Sequence, residues 1–365
     1  MTASHRLHLF FLTCLFLAAG CARELPPVPE KSTDVVGRMH PITLMTFNVE
    51  NLFDNSDDEG KDDRTYLPLE MKQTDEHRAA CASIETERWR DECLNWDWSD
   101  DIVARKLTVV AAAILQVGGG RGPDILALQE IENAGILERL SRDYLADAGY
   151  QAPILIEGDD ERGIDVAFLT RLALAEPATL HKIEFVGIED EREADTRGIL
   201  EATFRMPDQT LLTGYAVHFP APFHPTEMRI AAYDALNRLQ AALPDDRPVF
   251  AAGDFNTTSE EDREKSMLER FARPHWTIVH ETGCDPCQGT SYYARTDEWS
   301  FLDMLLWAPA DRSGKTTWRL RPGSVAIANE TPAQVRADGT PARFTLPAGE
   351  GVSDHWPLVV TLEPE

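Results

Sequence analysis

The chain has 365 residues, of which 43% are apolar and 27% charged, enough to bury one large core or two small ones. Lysine and arginine number 35 against 62 aspartate and glutamate, a formal net charge of −27. Such a surface repels polyphosphate at long range and argues against broad electrostatic gripping of DNA, so a nuclease of this composition has to bring its own cations.

Residues 1–20 read as a leader removed before folding. Arg6 precedes an apolar stretch from Leu9 to Ala19 that is too short to span a bilayer and ends in small residues. Leu17-Ala-Ala-Gly-Cys21 resembles a bacterial lipoprotein signal, which implies lipidation of Cys21 and an acyl anchor in place of a spanning helix. With Ala22 where aspartate marks inner-membrane retention, the resemblance implies the outer membrane facing the periplasm. Residues 21–39, with Pro26, Pro27 and Pro29, then form the lipidated cysteine and a flexible tether, and removing Arg6 with the leader takes the charge from −27 to −28. Cys14 leaves too, so Cys81, Cys93, Cys284 and Cys287 remain. An even remainder outside the cytoplasm suggests disulfides. Local pairing, 81 with 93 and 284 with 287, is favoured among the connectivities because each pair sits in its own loop-like stretch. A four-cysteine zinc site competes, although only one pair has the usual two-residue spacing.

From residue 40 to the end the pattern is that of one α/β catalytic domain. Apolar runs of strand length recur at Ile42–Val49, Ile125–Leu128, Ile164–Leu169, Leu200–Phe204, Leu211–Val217, Val249–Ala252, Phe301–Trp307 and Pro357–Leu362. Helical periodicity covers Ile102–Val117, Ala134–Ala148 and Thr226–Leu243. Most strands hand over to a polar residue: Asn48 and Glu50 after the first, Gln129 and Glu130 after the second, His218 after Tyr215-Ala-Val, Asp254 and Asn256 after Val249-Phe-Ala-Ala-Gly. Asp303 interrupts Phe301–Trp307, and Ser353-Asp354-His355 precedes the last strand. If these ends gather at one sheet edge they build a pocket of acidic groups and histidines. Asp254 and Asn256, on alternate positions of extended chain, are expected to share a face, with Phe255 turned into the core.

Thr46-Phe-Asn48-Val-Glu50, Leu128-Gln-Glu130, Val217-His218, Gly253-Asp-Phe-Asn256, Asp303 and Ser353-Asp-His355 resemble, in order, the motifs of the endonuclease/exonuclease/phosphatase superfamily, which includes DNase I. The resemblance runs from about residue 42 to 362 and implies a DNase I-like four-layered α/β sandwich, two mixed β-sheets packed face to face with helices outside. It implies that Asn48, Glu50, Glu130 and Asp354 form the metal shell, with Mg²⁺, Mn²⁺ or Ca²⁺ as the ion. It further implies that Asp254 and Asn256 orient the attacking water and the phosphate, that His355 pairs with Asp303, and that His218 is a second catalytic histidine. Arg162-Gly-Ile-Asp165 resembles a segment of bacterial members and implies phosphate-facing or structural roles for Arg162 and Asp165. Such a set suits phosphodiester hydrolysis, which needs charge neutralisation, an in-line water and help for the leaving oxygen.

Residues 55–101 read as an insertion that holds the first cysteine pair, Trp89, Trp96 and Trp98, and the acidic run Asp57, Asp58, Glu59, Asp62 and Asp63 around Gly60. Two readings stand: a disulfide-pinned surface loop with a satellite apolar cluster, or a substrate lid or additional Ca²⁺ site. The arginines, Arg121, Arg162, Arg171, Arg197, Arg229 and Arg295 among them, are scattered and form no basic stripe. The expected protein is thus a lipid-anchored, monomeric, metal-dependent phosphodiesterase of the cell envelope, with nucleic acid, DNA or RNA, as substrate. A lipid headgroup, as in a sphingomyelinase-like or phosphoinositide-type enzyme, is the alternative substrate, and a non-catalytic binding module the alternative class.

Overall fold

The computed structural model describes residues 40–188, 196–308 and 318–365; the leader, the lipidated Cys21 and the tether lie outside the described residues. The chain enters through β1 (Ile42–Leu52), crosses over by the helix Asp100–Leu115 and continues in β2 (Ile125–Ile131), β3 (Ile154–Leu155) and β4 (Asp165–Thr170). It then builds a second sheet from β5 (Thr179–His181), β6 (Ile199–Arg205), β7 (Leu211–His218), β8 (Val249–Asp254) and β9 (Thr277–Ile278). After a hairpin of β10 (Ser291–Tyr293) and β11 (Glu298–Ser300), β12 (Asp303–Ala308) joins the second sheet. The strands β13 (Trp318–Leu320), β14 (Ala326–Ile327) and β15 (Leu358–Pro364) return to the first.

Both sheets are mixed. The first runs β13-β15-β1-β2-β4-β3, with β14 also on β15, and the second runs β5-β6-β7-β8-β12-β9. Each has one parallel neighbour pair, β1 with β2 and β7 with β8, and each pair is joined by a helical crossover, Asp100–Leu115 in one case and Thr226–Ala242 in the other. A parallel pair requires such a crossover, and both of its strands then end at the same edge of the sheet.

Strand alternation sorts the apolar side chains into three cores. Met45, Phe47 and Val49 of β1 pack with Val103, Leu107, Val110 and Ile114 of the first crossover helix. Ile42 and Leu44 face the other way, into the layer between the sheets. There Phe168 of β4 meets Phe204 of β6 and Phe250 of β8 edge to face, with centroids 5.5 and 6.2 Å away. Tyr215 and Val217 of β7 pack outward on Met228, Ala232, Tyr233 and Leu236 of the second crossover helix. Helix, sheet, sheet and helix are the four layers the motifs implied. No helix of the described residues is long and apolar enough to cross a membrane.

The structure departs from the sequence reading in places that bear on function. The segment expected as one helix over Ala134–Ala148 is α-helical only over Ala134–Arg139; it then widens into a π turn over Leu140–Tyr144, with the Leu145 amide donating to the Leu140 carbonyl at 3.1 Å, tightens over Ala146–Ala148 and stops at Gly149 with φ +76°. The strand expected at Phe301 begins at Asp303, so the carboxylate opens the strand instead of interrupting it.

The insertion is not a loop around its cysteines. Cys81 lies in the helix Asp75–Ala82 and Cys93 in the helix Glu87–Asn95, and the disulfide between them staples the two helices together. Cys284 and Cys287 form the other disulfide. Tyr66 stacks on Phe53 at 3.9 Å, and the buried Trp98 packs edge-on to Tyr66 and Phe344 while its Nε1 donates to the Phe53 carbonyl. Because the insertion's own helices are short and polar outside this seam, Cys81→Ala/Cys93→Ala should lower stability by about 2–3 kcal/mol, as expected for a closed loop of this size. Urea unfolding would read it, and an unchanged midpoint would assign the seam to Trp98 and its neighbours alone.

Candidate active site

Strand register builds one half of the site. His218 at the end of β7 pairs with Asp254 at the end of β8, and Asp254 pairs with Asp303 at the start of β12. Histidine and two carboxylates therefore stand in one row across the second sheet. His355 reaches this row from the segment before β15, where its amide is held by Ser353 Oγ at 3.0 Å and Ser353 Oγ donates to the Asn48 carbonyl at 2.8 Å. The Nδ1 of His355 lies 2.7 Å from Asp303 Oδ2, and since a carboxylate only accepts, Nδ1 carries the donated proton.

The first sheet supplies the other half. Asn48 and Gln129 are register partners, and the chain bends sharply just beyond them: Glu50, Asn51 and Glu130 all have left-handed φ values, +54°, +54° and +63°. Non-glycine residues adopt this region at a cost of about 1–3 kcal/mol and cluster where a site demands it. Asn256, with φ +50°, behaves likewise. That corrects the expectation of extended chain through Asp254 and Asn256: the strand ends at Asp254, and the two share a face because the Asn256 amide turns back to donate to Asp254 Oδ1 at 2.8 Å. Phe255 between them is fully buried against Phe219 and Tyr233.

Asn48 joins the halves. Its Nδ2 donates to Glu130 Oε1 and to Asp254 Oδ2, both at 3.1 Å, while the Asn51 amide donates to Glu130 Oε2 at 2.8 Å. The Nε2 of His218 stands 3.9 Å from Glu130 and 3.7 Å from Asp254, and that of His355 stands 3.9 Å from both Asp254 and Asp354. Asn48, Glu130, His218, Asp254, Asn256, Asp303, Asp354 and His355 thus form one cluster.

Glu50 sits differently from a simple ligand. Arg343 grips its Oε1 from Nε at 2.7 Å and Nη2 at 2.6 Å, and the Phe344 amide donates to its Oε2 at 3.0 Å, so both oxygens are already engaged. Arg162 lines the adjoining pocket, but Asp165 does not: its Oδ1 accepts from the Gly158 amide at 2.9 Å, and burial and the charge of Glu157 push its carboxyl up to about 8. Sequence reasoning missed Arg343 and Lys106. The ammonium of Lys106 is wholly buried, donates to the Val352 carbonyl at 2.7 Å and lies 5.0 Å over the Phe344 ring. An apolar helix face interrupted by a lone lysine was the available signal.

The two histidines are driven apart. Burial, then the charges of Arg197, Arg162 and His355, holds His218 well below the usual histidine range, so it is neutral. Burial would also lower His355, but the charge and hydrogen bond of Asp303, with Asp254 and Asp354 behind them, prevail and raise it well above that range. Burial and Asp303 push Asp254 up to about 7, against the opposing pull of His355 and the hydrogen bonds from Asn256 and Asn48. Glu50 is pushed to about 7 by burial and by Asp354. Burial lowers Lys106 to about 8 although Glu50, Asp354 and Glu130 all favour its charge.

The positive charges of Lys106 and Arg343 thus stand behind an excess of carboxylates. Carboxylate oxygens are hard ligands, and Glu130 and Asp354 retain side-chain exposures of 16% and 45% through which an ion can enter. The set fits a hard divalent cation.

Beside this cluster opens a pocket of about 500 Å³, floored by Glu50 and Asn51. Arg162, Arg197 and Arg343 line it together with Trp89, Trp96 and Trp98 of the insertion and Phe223. Trp89 and Phe223 are 57% and 70% exposed, which is unusual for side chains of their size. Arginines far apart in sequence therefore meet at one place, under a wall that the insertion supplies. Tyr292 and Trp299 belong to the β10–β11 hairpin, where Trp299 packs on Trp356 at 5.1 Å and Tyr292 donates to Asp297 at 2.7 Å.

Comparison with known proteins agrees with this geometry. A family model described as "Endonuclease/Exonuclease/phosphatase family" matches residues 45–355. Among solved structures, the chain resembles an endonuclease/exonuclease/phosphatase from Bacteroides vulgatus at 16% identity, covering 89% of this chain and 100% of that one with a TM-score of 0.52. A family protein from Bacteroides thetaiotaomicron (15% identity, 89% and 98% coverage, TM-score 0.51) is similar to the same degree. So is D. rerio TDP2 complexed with a single-strand DNA product (15%, 88% and 99%, TM-score 0.51). At these identities the likeness is one of fold. No curated protein sequence gives a significant match.

Proposed function

The chain belongs to the endonuclease/exonuclease/phosphatase family and is a phosphoesterase hydrolase of that family, and from that premise we propose a divalent-metal-dependent phosphodiesterase that cleaves nucleic acid, DNA or RNA. The observation that carries the substrate reading is the arginine and tryptophan pocket beside the carboxylates. Arginine pairs with phosphate. Arg343 is engaged on Glu50 and Arg197 on Asp160 at 3.2 Å, and Arg162 is the arginine assigned to the phosphate in this reading. The exposed indole of Trp89 offers a face to an unstacked base at about 1–3 kcal/mol per base. A pocket of this size takes a nucleotide and not a duplex, so recognition is local. That suits a surface of net charge −27, which offers no long-range attraction.

In this reading Glu130, Asp354 and Asn48 hold a divalent ion, with Mg²⁺ or Mn²⁺ foremost, and Glu50, locked by Arg343, adds negative charge behind them. The bound ion would neutralise charge on the phosphate and help orient it. Asp254, fixed by Asn48 and the Asn256 amide, holds the attacking water and takes up its proton. Asn256 keeps one amide hydrogen on the Phe219 carbonyl and has its other for a phosphate oxygen. His355, protonated and oriented by Asp303, stabilises the charge that builds on phosphorus oxygens or delivers a proton to the leaving oxygen. His218, neutral, donates a hydrogen bond without adding charge. The signal at Leu17–Cys21 supports an acylated protein of the cell envelope as the setting.

The pocket makes the substrate reading testable. Trp89→Ala and Arg162→Ala should each raise KM for a single-stranded oligonucleotide about 10-fold, the worth of one stacked base or one phosphate contact. Hydrolysis of bis(p-nitrophenyl) phosphate, which carries no base, should be nearly unchanged in Trp89→Ala. The D. rerio neighbour was solved with a single-strand DNA product, which makes such DNA the substrate to try first. Equal losses on both substrates would remove the pocket from recognition, and turnover of sphingomyelin in place of nucleic acid would shift the reading to lipid headgroups.

A further inference from the structure

A second acidic cluster lies outside the catalytic row, where the insertion leaves the body of the fold. Asp58 and Asp63 come from the turn around Gly60, whose φ of +83° lets the chain reverse, and Glu132 comes from just beyond the end of β2. One carboxylate oxygen from each can be taken so that all lie within 4.8 Å of one another. Acidic groups gather on many surfaces without consequence, but two of these are not on the surface: Asp63 is 1% exposed and Glu132 2%.

The hydrogen bonds of those two buried carboxylates point to a ligand. The Asp58 amide donates to Asp63 Oδ2 at 2.8 Å, and the Asp54 amide donates to Glu132 Oε2 at 2.6 Å. Among the described residues, the remaining oxygens, Asp63 Oδ1 and Glu132 Oε1, have no hydrogen-bond partner. A buried carboxylate oxygen without a donor costs about 1–3 kcal/mol or more, so two in one cluster call for a common partner. The basic side chains of the segment are engaged elsewhere, Arg64 on Asp62 at 2.8 Å and Lys61 on the Asp160 carbonyl at 2.8 Å. Asn133 contributes the neutral donor, its Nδ2 standing 3.3 Å from both Asp54 Oδ2 and Asp58 Oδ2.

We propose that Asp58, Asp63 and Glu132 bind a calcium ion, distinct from the catalytic metal, that pins the start of the insertion to the end of β2. Calcium takes six to eight oxygens at about 2.3–2.6 Å in irregular geometry, so donors up to about 5 Å apart can share one ion; magnesium demands a tighter octahedron and keeps its waters. The ion ties the 54–63 turn to a strand end two residues from Glu130, and through the insertion it steadies the Trp89 wall.

The test counts ions. ⁴⁵Ca²⁺ equilibrium dialysis is run on Glu130→Gln, in which the catalytic shell is weakened, on that variant with Asp63→Asn/Glu132→Gln added, and on that variant with Asp58→Asn added. Glu130→Gln should retain one calcium per chain and gain thermal stability on binding it. Adding Asp63→Asn/Glu132→Gln should abolish both effects. The partly exposed Asp58→Asn, which removes one charge without disturbing the core, should weaken binding about 10-fold and keeps the test valid if the buried pair fails to fold. No calcium on Glu130→Gln, or undiminished affinity in the Asp58→Asn variant, would overturn the site. Neither result depends on turnover, so a failure here leaves the phosphodiesterase reading standing on its own assays.

Discussion

His355→Ala is expected to lower kcat on a phosphodiester by about 10²–10⁴-fold, the range for losing a positioned proton donor. The ring is held at both ends: the Ser353 hydroxyl fixes its backbone and Asp303 fixes Nδ1 at 2.7 Å, leaving Nε2 for the reaction. The companion variant Asp303→Asn separates positioning from mere folding. With Asp303 present, His355 is raised well above the ordinary histidine range, so the proton it contributes is present at neutral pH and is lost only as pH rises through that elevated value. Removing the carboxylate charge lowers the raised pKa, and the alkaline fall in kcat should move to lower pH in Asp303→Asn while the fold, read by circular dichroism, stays. An alkaline limb that does not move would separate His355 from the chemistry.

The second large effect is on the metal. EDTA should abolish hydrolysis and Mg²⁺ or Mn²⁺ restore it, and Glu130→Ala should lower kcat/KM by roughly 10²–10³-fold, the scale of one lost electrostatic element in a desolvated site. Glu130 is the natural choice because the Asn48 side chain and the Asn51 amide orient it, His218 stands behind it and its side chain keeps 16% exposure. If that loss reflects ion binding, raising Mn²⁺ should recover part of the rate, whereas a collapsed fold would not respond. Full activity of the wild type in chelator would rule the metal out.

Much of the site was legible because it lies at strand ends. Two parallel pairs, each needing a crossover, finish at one edge, so Asn48, Glu130, His218 and Asp254 converge wherever the motifs are read correctly. The register of β8 with β12 then brings Asp303 alongside. Residues in loops and on helices were not legible in this way. Arg343 reaches Glu50 across nearly three hundred residues, and Lys106, a lone charge on the apolar face of its helix, gives in sequence no sign of the carboxylates it serves. The left-handed turns at Glu50, Glu130 and Asn256 also carry no strand or helix period, so alternation gave the right face at Asp254 and Asn256 for the wrong reason. The pocket was hidden most completely. Its arginines are scattered along the chain, and its tryptophans sit in an insertion whose short polar helices look like loop until the disulfide joins them.

The most direct test of the central claim is cleavage of supercoiled plasmid and of a single-stranded oligonucleotide in Mg²⁺ by the wild-type chain beside Asp254→Ala. Asp254 is buried and accepts from both Asn48 and Asn256, so circular dichroism of the variant must match that of the wild type for its loss of activity to be assigned to chemistry. The wild type should nick the plasmid and cut the single strand, and both activities should disappear in Asp254→Ala and in EDTA. Undiminished cleavage by Asp254→Ala, or a wild type silent on both nucleic acids, would contradict the central claim.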